Sequence, residues 1–244
     1  MAPSILPEPV EILGCLLPED RLYDLEHDVW CSPPDPEGRS TLGVLATLAA
    51  FAGPFATVSF RPVEGVVAAG RSVATLESMR YTGAVRLPVD ATVVARNEAI
   101  LDRPRLVNDA PYTDGWVVRL RPVDPAAPAR TMETAAQVAA RLEERIRRQR
   151  IRCWPVTPDV EMFEIGIECS AVLAQLDDEL ARRPAGTAVM VVTDDPLSPI
   201  EMVRWSDQTG HAVLAHRAEG NLHHFLVRKE AHPMPRRRPG AGGG

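Results

Sequence analysis

The sequence predicts an α+β protein of two domains, in which a β-rich domain is followed by a two-layer α/β sandwich. Short apolar runs separated by glycine, proline, aspartate and asparagine occupy residues 57–120, a pattern typical of a compact β domain with many turns. Beyond residue 158, strand-like and helix-like segments alternate in the order β-α-β-α-β-β. Helices that bury one face against a single sheet give two layers. Residues 122–130, rich in proline and alanine, predict an extended linker between the two domains.

The first domain is predicted to span residues 22–122. Its strands are expected at residues 57–60, 72–76, 83–87, 93–95 and 115–120. Residues 42–51 favour a helix within this domain, although a pair of strands would also fit. Residues 1–21 are rich in proline and acidic residues and are expected to lie loosely on the surface as an N-terminal extension. They lack a basic stretch followed by an apolar one, so we expect no secretory signal.

A helix is predicted within the connecting segment 123–152. Its apolar residues recur at spacings of three and four and therefore share one face: Met132, Ala135, Ala139, Leu142 and Ile146. Thr131 is a plausible N-cap for it. The thin, alanine-rich stripe favours a helix that joins the domains and packs on one neighbour, while a helix that recruits a partner or forms a dimer is the alternative.

The second domain is predicted to span residues 153–230. Strands are expected at residues 160–167, 187–193, 212–217 and 222–229, and helices at residues 170–182 and 199–209. The glycine- and arginine-rich tail, residues 231–244, is expected to be disordered.

Charge, hydropathy and cysteine usage exclude several classes of protein. The net charge of −6 argues against nucleic-acid binding, and no apolar run is long enough for a transmembrane helix. The four cysteines form no C-x-x-C pair and no zinc-site spacing with histidine, so a structural zinc site or a disulfide framework is not expected. We therefore expect reduced thiols, a cytoplasmic location, no metal and no cofactor.

Several motifs between residues 22 and 122 resemble the glycine cleavage system H protein. They occur in the family's order: Tyr23-Asp-Leu-Glu-His27-Asp-Val-Trp30, Val63-Glu64-Gly65, Leu76-Glu77-Ser78-Met79-Arg80, Asn97-Glu98-Ala99, Asn108-Asp109-Ala110-Pro111-Tyr112 and Gly115-Trp116. The resemblance implies a barrel-sandwich hybrid, the flattened β-barrel shared by lipoyl and biotinyl carriers. It also implies partners that recognise lipoyl-type domains.

Arg80 stands at the position where that family carries its lipoyl lysine. A guanidinium stays protonated and accepts no acyl group, and the neighbouring Met79, Tyr81 and Thr82 offer no amine. Of 27 basic residues, 26 are arginines and one, Lys229, is a lysine. The hairpin is therefore not expected to be lipoylated. Arg80 either binds an anion or a partner carboxylate, or is a solvated charge left after the modification was lost.

The second domain resembles the TusA/SirA sulfur carriers. The segments that carry this resemblance are Gly166-Ile167-Glu168-Cys169, Arg183-Pro184-Ala185-Gly186, Val191-Val192-Thr193-Asp194-Asp195-Pro196 and Phe225-Leu226-Val227-Arg228-Lys229. The resemblance implies that Cys169 carries a persulfide, and the start of a helix should favour its thiolate. The family's Cys-Pro-x-Pro is here Cys-Ser-Ala-Val, which leaves an inert thiol as the alternative.

Three functions remain open from these observations. The leading hypothesis is a sulfur-carrier or relay protein that passes a persulfide from Cys169 between donor and acceptor proteins and docks through its H-like domain. The others are a noncatalytic adaptor and a divergent H protein.

His223 and His224 point to opposite faces of one strand and so cannot bind one metal ion together. Asp194 and Asp195 are expected to mark a turn that caps the following helix.

Overall fold

The computed structural model describes residues 9–233, which form two compact units, one ending at Cys153 and the other beginning at Trp154. Both units combine sheets and helices, which confirms the α+β class. No helix among the described residues is long and apolar enough to cross a bilayer. Most of the predicted tail lies outside the described residues, as do residues 1–8 of the N-terminal extension.

The first unit contains twelve strands within its described part, most of them three to seven residues long. The strands are β1 (Val10–Ile12), β2 (Cys15–Leu17), β3 (Leu22–Asp24), β4 (Val29–Cys31), β5 (Ser40–Val44), β6 (Phe55–Phe60), β7 (Val66–Val67), β8 (Ser72–Ser78), β9 (Thr82–Arg86), β10 (Ala91–Arg96), β11 (Val118–Pro122) and β12 (Glu133–Thr134). They form an antiparallel hairpin β1-β2, a seven-stranded sheet in the order β12-β3-β4-β5-β11-β10-β7, and a three-stranded sheet in the order β6-β8-β9.

Five helices complete the first unit as far as the structure describes it. They are α1 (Ala46–Ala52), α2 (Ala99–Asp102), α3 (Leu106–Asp109), α4 (Ala127–Thr131) and α5 (Ala135–Gln149). The segment predicted as either a helix or a strand pair therefore contains the end of β5 followed by α1.

Helix α5 belongs to the core of the first unit. Val138, Leu142 and Ile146 lie on its apolar face and are buried in the same cluster as Trp30 of β4. The helix begins at a capping box in which Gln137 N donates to Thr134 Oγ1 and Thr134 N donates to the Gln137 side chain. The N-cap is thus Thr134, and the expectation of Thr131 is wrong because no glutamine or glutamate stands three residues after Thr131.

Two other expectations for the first unit are wrong. Residues 9–21 do not lie loosely on the surface, because Ile12, Cys15 and Leu17 on the β1-β2 hairpin are buried in the core. The Pro/Ala linker is not wholly extended, since α4 lies within it with Pro128 in its first turn, where proline costs no hydrogen bond.

A disulfide joins Cys15 of β2 to Cys153, which corrects the expectation of four reduced thiols. The two residues are 138 positions apart in sequence. Their closeness arises from the packing of α5 against β1, a long-range contact that cysteine spacing does not encode. Cys31 and Cys169 are free thiols.

The described part of the second unit contains one four-stranded sheet and two helices. Its elements are β13 (Val160–Glu164), α6 (Cys169–Ala181), β14 (Ala188–Thr193), α7 (Ser198–Thr209), β15 (Ala212–Glu219) and β16 (Leu222–Arg228). The sheet order is β13-β14-β16-β15, with β13 parallel to β14 and the other pairs antiparallel. Val172 and Leu176 of α6 and Trp205 of α7 pack on Val191 and Phe225 of the sheet.

Candidate functional site

The hairpin formed by β8 and β9 carries the predicted lipoyl-type position at its tip. Ser78 N donates to Tyr81 O at 2.8 Å and closes the turn, so that Met79 and Arg80 project from it. Ser78 Oγ donates to Ala52 O at 2.6 Å, which ties the turn to the last residue of α1. Met79 is fully exposed. The tip is therefore fixed in position and open to a partner.

The Arg80 guanidinium lies against Gly53, the residue that ends α1. A Cβ atom at Gly53 would come within 2.9 Å of Arg80 Nη2, and the φ of +72° at Gly53 also favours glycine. Helix α1 has no basic residue in its own last turn. A cation at this point interacts favourably with the negative end of the helix dipole. Arg80 therefore lies at the hairpin tip and also contacts the end of α1.

The Asn108 side chain forms hydrogen bonds with backbone groups at the end of α1 and the start of β6. Its Oδ1 accepts from Phe55 N at 2.8 Å, and its Nδ2 donates to Ala49 O at 3.0 Å and to Gly53 O at 2.8 Å. Since buried backbone groups need partners, this one side chain satisfies three of them where α1 turns into β6. The hydroxyl of Tyr112 accepts from Ala46 N at the other end of the helix. The Asn-Asp-x-Pro-Tyr motif therefore positions α1.

Charged and aromatic side chains pack around Tyr81, next to the hairpin turn. Tyr81 packs edge-on against Phe55, with ring centroids 6.2 Å apart, and burial together with the nearby Asp28 raises the pKa of Tyr81. Arg145 of α5 pairs with Asp28 and donates to Leu25 O. Burial raises the pKa of Asp28, although Arg145 opposes that shift. Helix α5 thus contributes an arginine to the neighbourhood of the hairpin.

Lys229, the only lysine of the chain, has a structural role in the second unit. Its Nζ donates to Leu180 O at 2.6 Å and to Arg183 O at 2.7 Å, which satisfies carbonyl groups at the end of α6. An ammonium group held in this way is poorly placed to accept an acyl group.

Cys169 is the first residue of α6, and its side chain is buried. Its backbone N–H donates to Asp195 Oδ2 at 2.8 Å, and Asp195 Oδ1 accepts from Leu197 N. Asp194 accepts from Gly166 N at 2.7 Å. The paired aspartates therefore join the Cys169 loop to the turn before α7. The expectation that they cap α7 is wrong, because the N-cap of that helix is Leu197 and no side chain caps it.

The expectation that the helix start lowers the pKa of Cys169 is wrong. Burial raises the pKa of this thiol, and the carboxylates of Asp195 and Glu201 raise it further. The Asp195 carboxylate occupies the helix N-terminus that the thiolate would otherwise use. Because Asp195 is 26 residues away in sequence, its proximity could not be read from the local pattern.

Among the described residues, no group of three or more histidine, cysteine, aspartate or glutamate side chains could hold a metal ion. His224 is buried, whereas His223 is partly exposed beside His216, with Nε2 of His216 3.1 Å from Nδ1 of His223. The two adjacent histidines thus lie in different environments on β16.

The family model of the glycine cleavage H-protein matches residues 21–145. The chain belongs to this family. The match includes the hairpin with Arg80 and ends at Arg145 within α5, the residue that pairs with Asp28. It covers no residue of the second unit.

Individual H proteins match the same region. Glycine cleavage system H protein 2 of Aquifex aeolicus is 34% identical over 143 residues, covering 59% of this chain and 88% of that protein. Glycine cleavage system H protein 5 of the same organism is 35% identical over 147 residues, covering 59% of this chain and 98% of that protein. The Klebsiella pneumoniae H protein is 32% identical over 123 residues, covering 50% of this chain and 94% of that protein.

Among solved structures, a glycine cleavage system H protein from Mycobacterium marinum aligns with a TM-score of 0.46 and 25% identity. The alignment covers 52% of this chain and 98% of that structure.

Proposed function

We propose that the chain is an H-protein-family docking protein that presents its hairpin without a lipoyl arm. The observation that carries the proposal is Arg80 at the tip of the β8-β9 hairpin, where the H-protein resemblance implies an acylated lysine. The rest of the hairpin is intact, since Ser78 closes the turn and ties it to α1.

The chemistry of the chain supports the loss of the arm. An amide-linked lipoyl group needs a nucleophilic amine, and a guanidinium, which stays protonated, supplies none. The sole lysine, Lys229, is bound to two carbonyl oxygens in the second unit. The covalent swinging arm is therefore lost, and the surface that surrounds it is retained.

The partner class follows from that surface. Met79 is fully exposed at the tip, and Phe51 of α1 is 45% exposed. Exposed apolar side chains around a fixed tip suit recognition by an enzyme that docks lipoyl-type domains. We infer that such an enzyme binds this chain as it would an H protein, but finds no lipoyl arm on it and no amine to which one could be attached.

Competition in a lipoylation reaction tests the docking proposal. The full chain is added to a lipoate–protein ligase acting on an H protein that has its lysine, and we expect it to slow that reaction in a concentration-dependent way. Met79→Glu should abolish the inhibition because it places a charge at the apolar tip. Val123→Glu is the matched control, since Val123 is also exposed at 61% in the same unit. Equal inhibition by both variants, or none by the parent chain, would reject the proposal.

A sulfur-relay role for the second unit is a separate proposal, supported by the TusA/SirA resemblance and by the free thiol of Cys169 at the start of α6. Persulfide formation would require the buried thiol to become exposed and deprotonated, against the effect of Asp195 and Glu201. After incubation with a persulfide donor, intact mass spectrometry should show a gain of one sulfur atom that Cys169→Ser abolishes.

The outcomes separate the remaining functions. Inhibition of the ligase without sulfur loading supports a noncatalytic adaptor. Sulfur loading of Cys169 supports a relay that docks through its H-like unit. A lipoyl group on the unaltered chain would instead support a divergent H protein that acts in glycine cleavage.

A further inference from the structure

A groove of about 700 Å³ lies at the end of the β8-β9 hairpin opposite Arg80. Ser72 and Arg86 pair across that end of the hairpin and line the groove together with the segment 61–68 and Arg71. The groove is thus remote along the strands from the tip proposed to dock, and it has no part in the proposed function.

The charge of the groove is positive, in a chain whose net charge is −6. Arg61, Arg71 and Arg86 line it, against one acidic residue, Glu64. Arg86 Nη1 donates to Gly70 O at 2.8 Å. The side chains of Arg61 and Arg71 form no ion pair with any carboxylate in residues 9–233. Because guanidinium groups bind carboxylates with two parallel hydrogen bonds, these arginines suit a ligand with several carboxylates.

The groove also borders an open edge of the seven-stranded sheet. Strand β7 is the last strand in the sheet order, and within the described part of the chain it pairs with β10 alone. Val66 of β7 is 64% exposed and lines the groove beside the arginines. An edge strand offers backbone donors and acceptors to an added extended segment.

We propose that this groove binds an extended acidic peptide segment of a partner protein. Successive side chains of an extended peptide point to opposite sides, so a segment that alternates glutamate with an apolar residue presents carboxylates to the arginines and apolar groups to Val66. A nucleic acid would also meet the arginines, but the acidic net charge disfavours it, and the open strand edge suits a peptide backbone.

Fluorescence anisotropy with the full chain tests the proposal. The probe is a labelled twelve-residue peptide of alternating glutamate and valine, and the control probe replaces glutamate with lysine. We expect the acidic probe to bind and the basic probe not to bind. The double variant Arg61→Glu, Arg71→Glu should weaken binding of the acidic probe about tenfold or more. Arg148→Glu is the matched control, because Arg148 lies exposed on α5 outside the groove.

The readouts distinguish this proposal from tip docking and from a folding defect. Met79→Glu should leave peptide binding unchanged, because the tip is at the other end of the hairpin. If the charge-reversed variant does not fold, Arg61→Gln, Arg71→Gln replaces it, and hydrogen exchange of residues 64–68 in the parent chain should slow when the peptide is added. Equal binding by the groove variants and Arg148→Glu, no protection of residues 64–68, or tighter binding of a single-stranded oligonucleotide at the same arginines would overturn the proposal.

Discussion

Replacing Asn108 with alanine removes the side chain that joins α1 to β6 beneath the hairpin tip. Three buried hydrogen bonds are lost, to Phe55 N, Ala49 O and Gly53 O. A buried hydrogen bond contributes about 1 kcal/mol on average, so we expect the free energy of unfolding of the first unit to fall by about 3 kcal/mol. In a unit of this size, such a loss corresponds to a fall in Tm of about 6–12 °C.

Asn97→Ala is a comparison variant for the expected loss of stability in Asn108→Ala. The Asn97 side chain donates two hydrogen bonds, to Asp114 O and Trp116 O, each at 2.7 Å. Its removal should therefore cost less than removal of Asn108. Urea denaturation of each full-length variant, with hydrogen exchange of residues 72–86 reporting on the first unit, measures both effects. A loss below about 1 kcal/mol for Asn108→Ala, or the reverse ranking, would refute the role assigned to Asn108.

Further predictions concern the core, the disulfide and the free thiol of Cys169. Leu142→Ala on the buried face of α5 should lower the stability of the first unit by about 2–5 kcal/mol, whereas Arg148→Ala on the exposed face should change it by less than about 0.5 kcal/mol. Cys15→Ser opens a disulfide-closed loop of 138 residues, which by chain entropy costs up to about 5 kcal/mol in urea denaturation, and a reductant should then have no further effect. Iodoacetamide should label Cys169 slowly at neutral pH, because burial and neighbouring carboxylates raise its pKa, and Asp195→Asn should shift the labelling profile to lower pH. Rapid labelling of the parent chain near pH 6 would contradict the assigned environment.

Local patterns in the sequence located most of the regular structure. The spacing of apolar residues placed a helix before residue 152, and α5 buries Leu142 and Ile146 on that face. Its N-cap was misplaced because Thr131 and Thr134 are both threonines, and the choice depends on the glutamine that completes the capping box. Boundaries of this kind depend on one reciprocal pair of hydrogen bonds.

Long-range contacts account for what the sequence did not reveal. The Cys15–Cys153 disulfide depends on α5 lying against β1, and that packing cannot be predicted from the spacing of the cysteines. The pKa of Cys169 is raised by burial and then by Asp195, which follows a different strand. By contrast, the absence of an amine at the hairpin tip could be predicted directly from the sequence, since it depends on the identity of one residue, Arg80.

The claim that the hairpin retains the H-protein docking surface and lacks its acyl acceptor is tested most directly by intact mass spectrometry of Arg80→Lys after incubation with a lipoate–protein ligase. We expect Arg80→Lys to gain the mass of one lipoyl group, and the parent chain and Arg80→Gln to gain none. An unmodified Arg80→Lys, in a reaction that fully modifies a lysine-bearing H protein, would contradict the claim. Modification of the parent chain would contradict it equally.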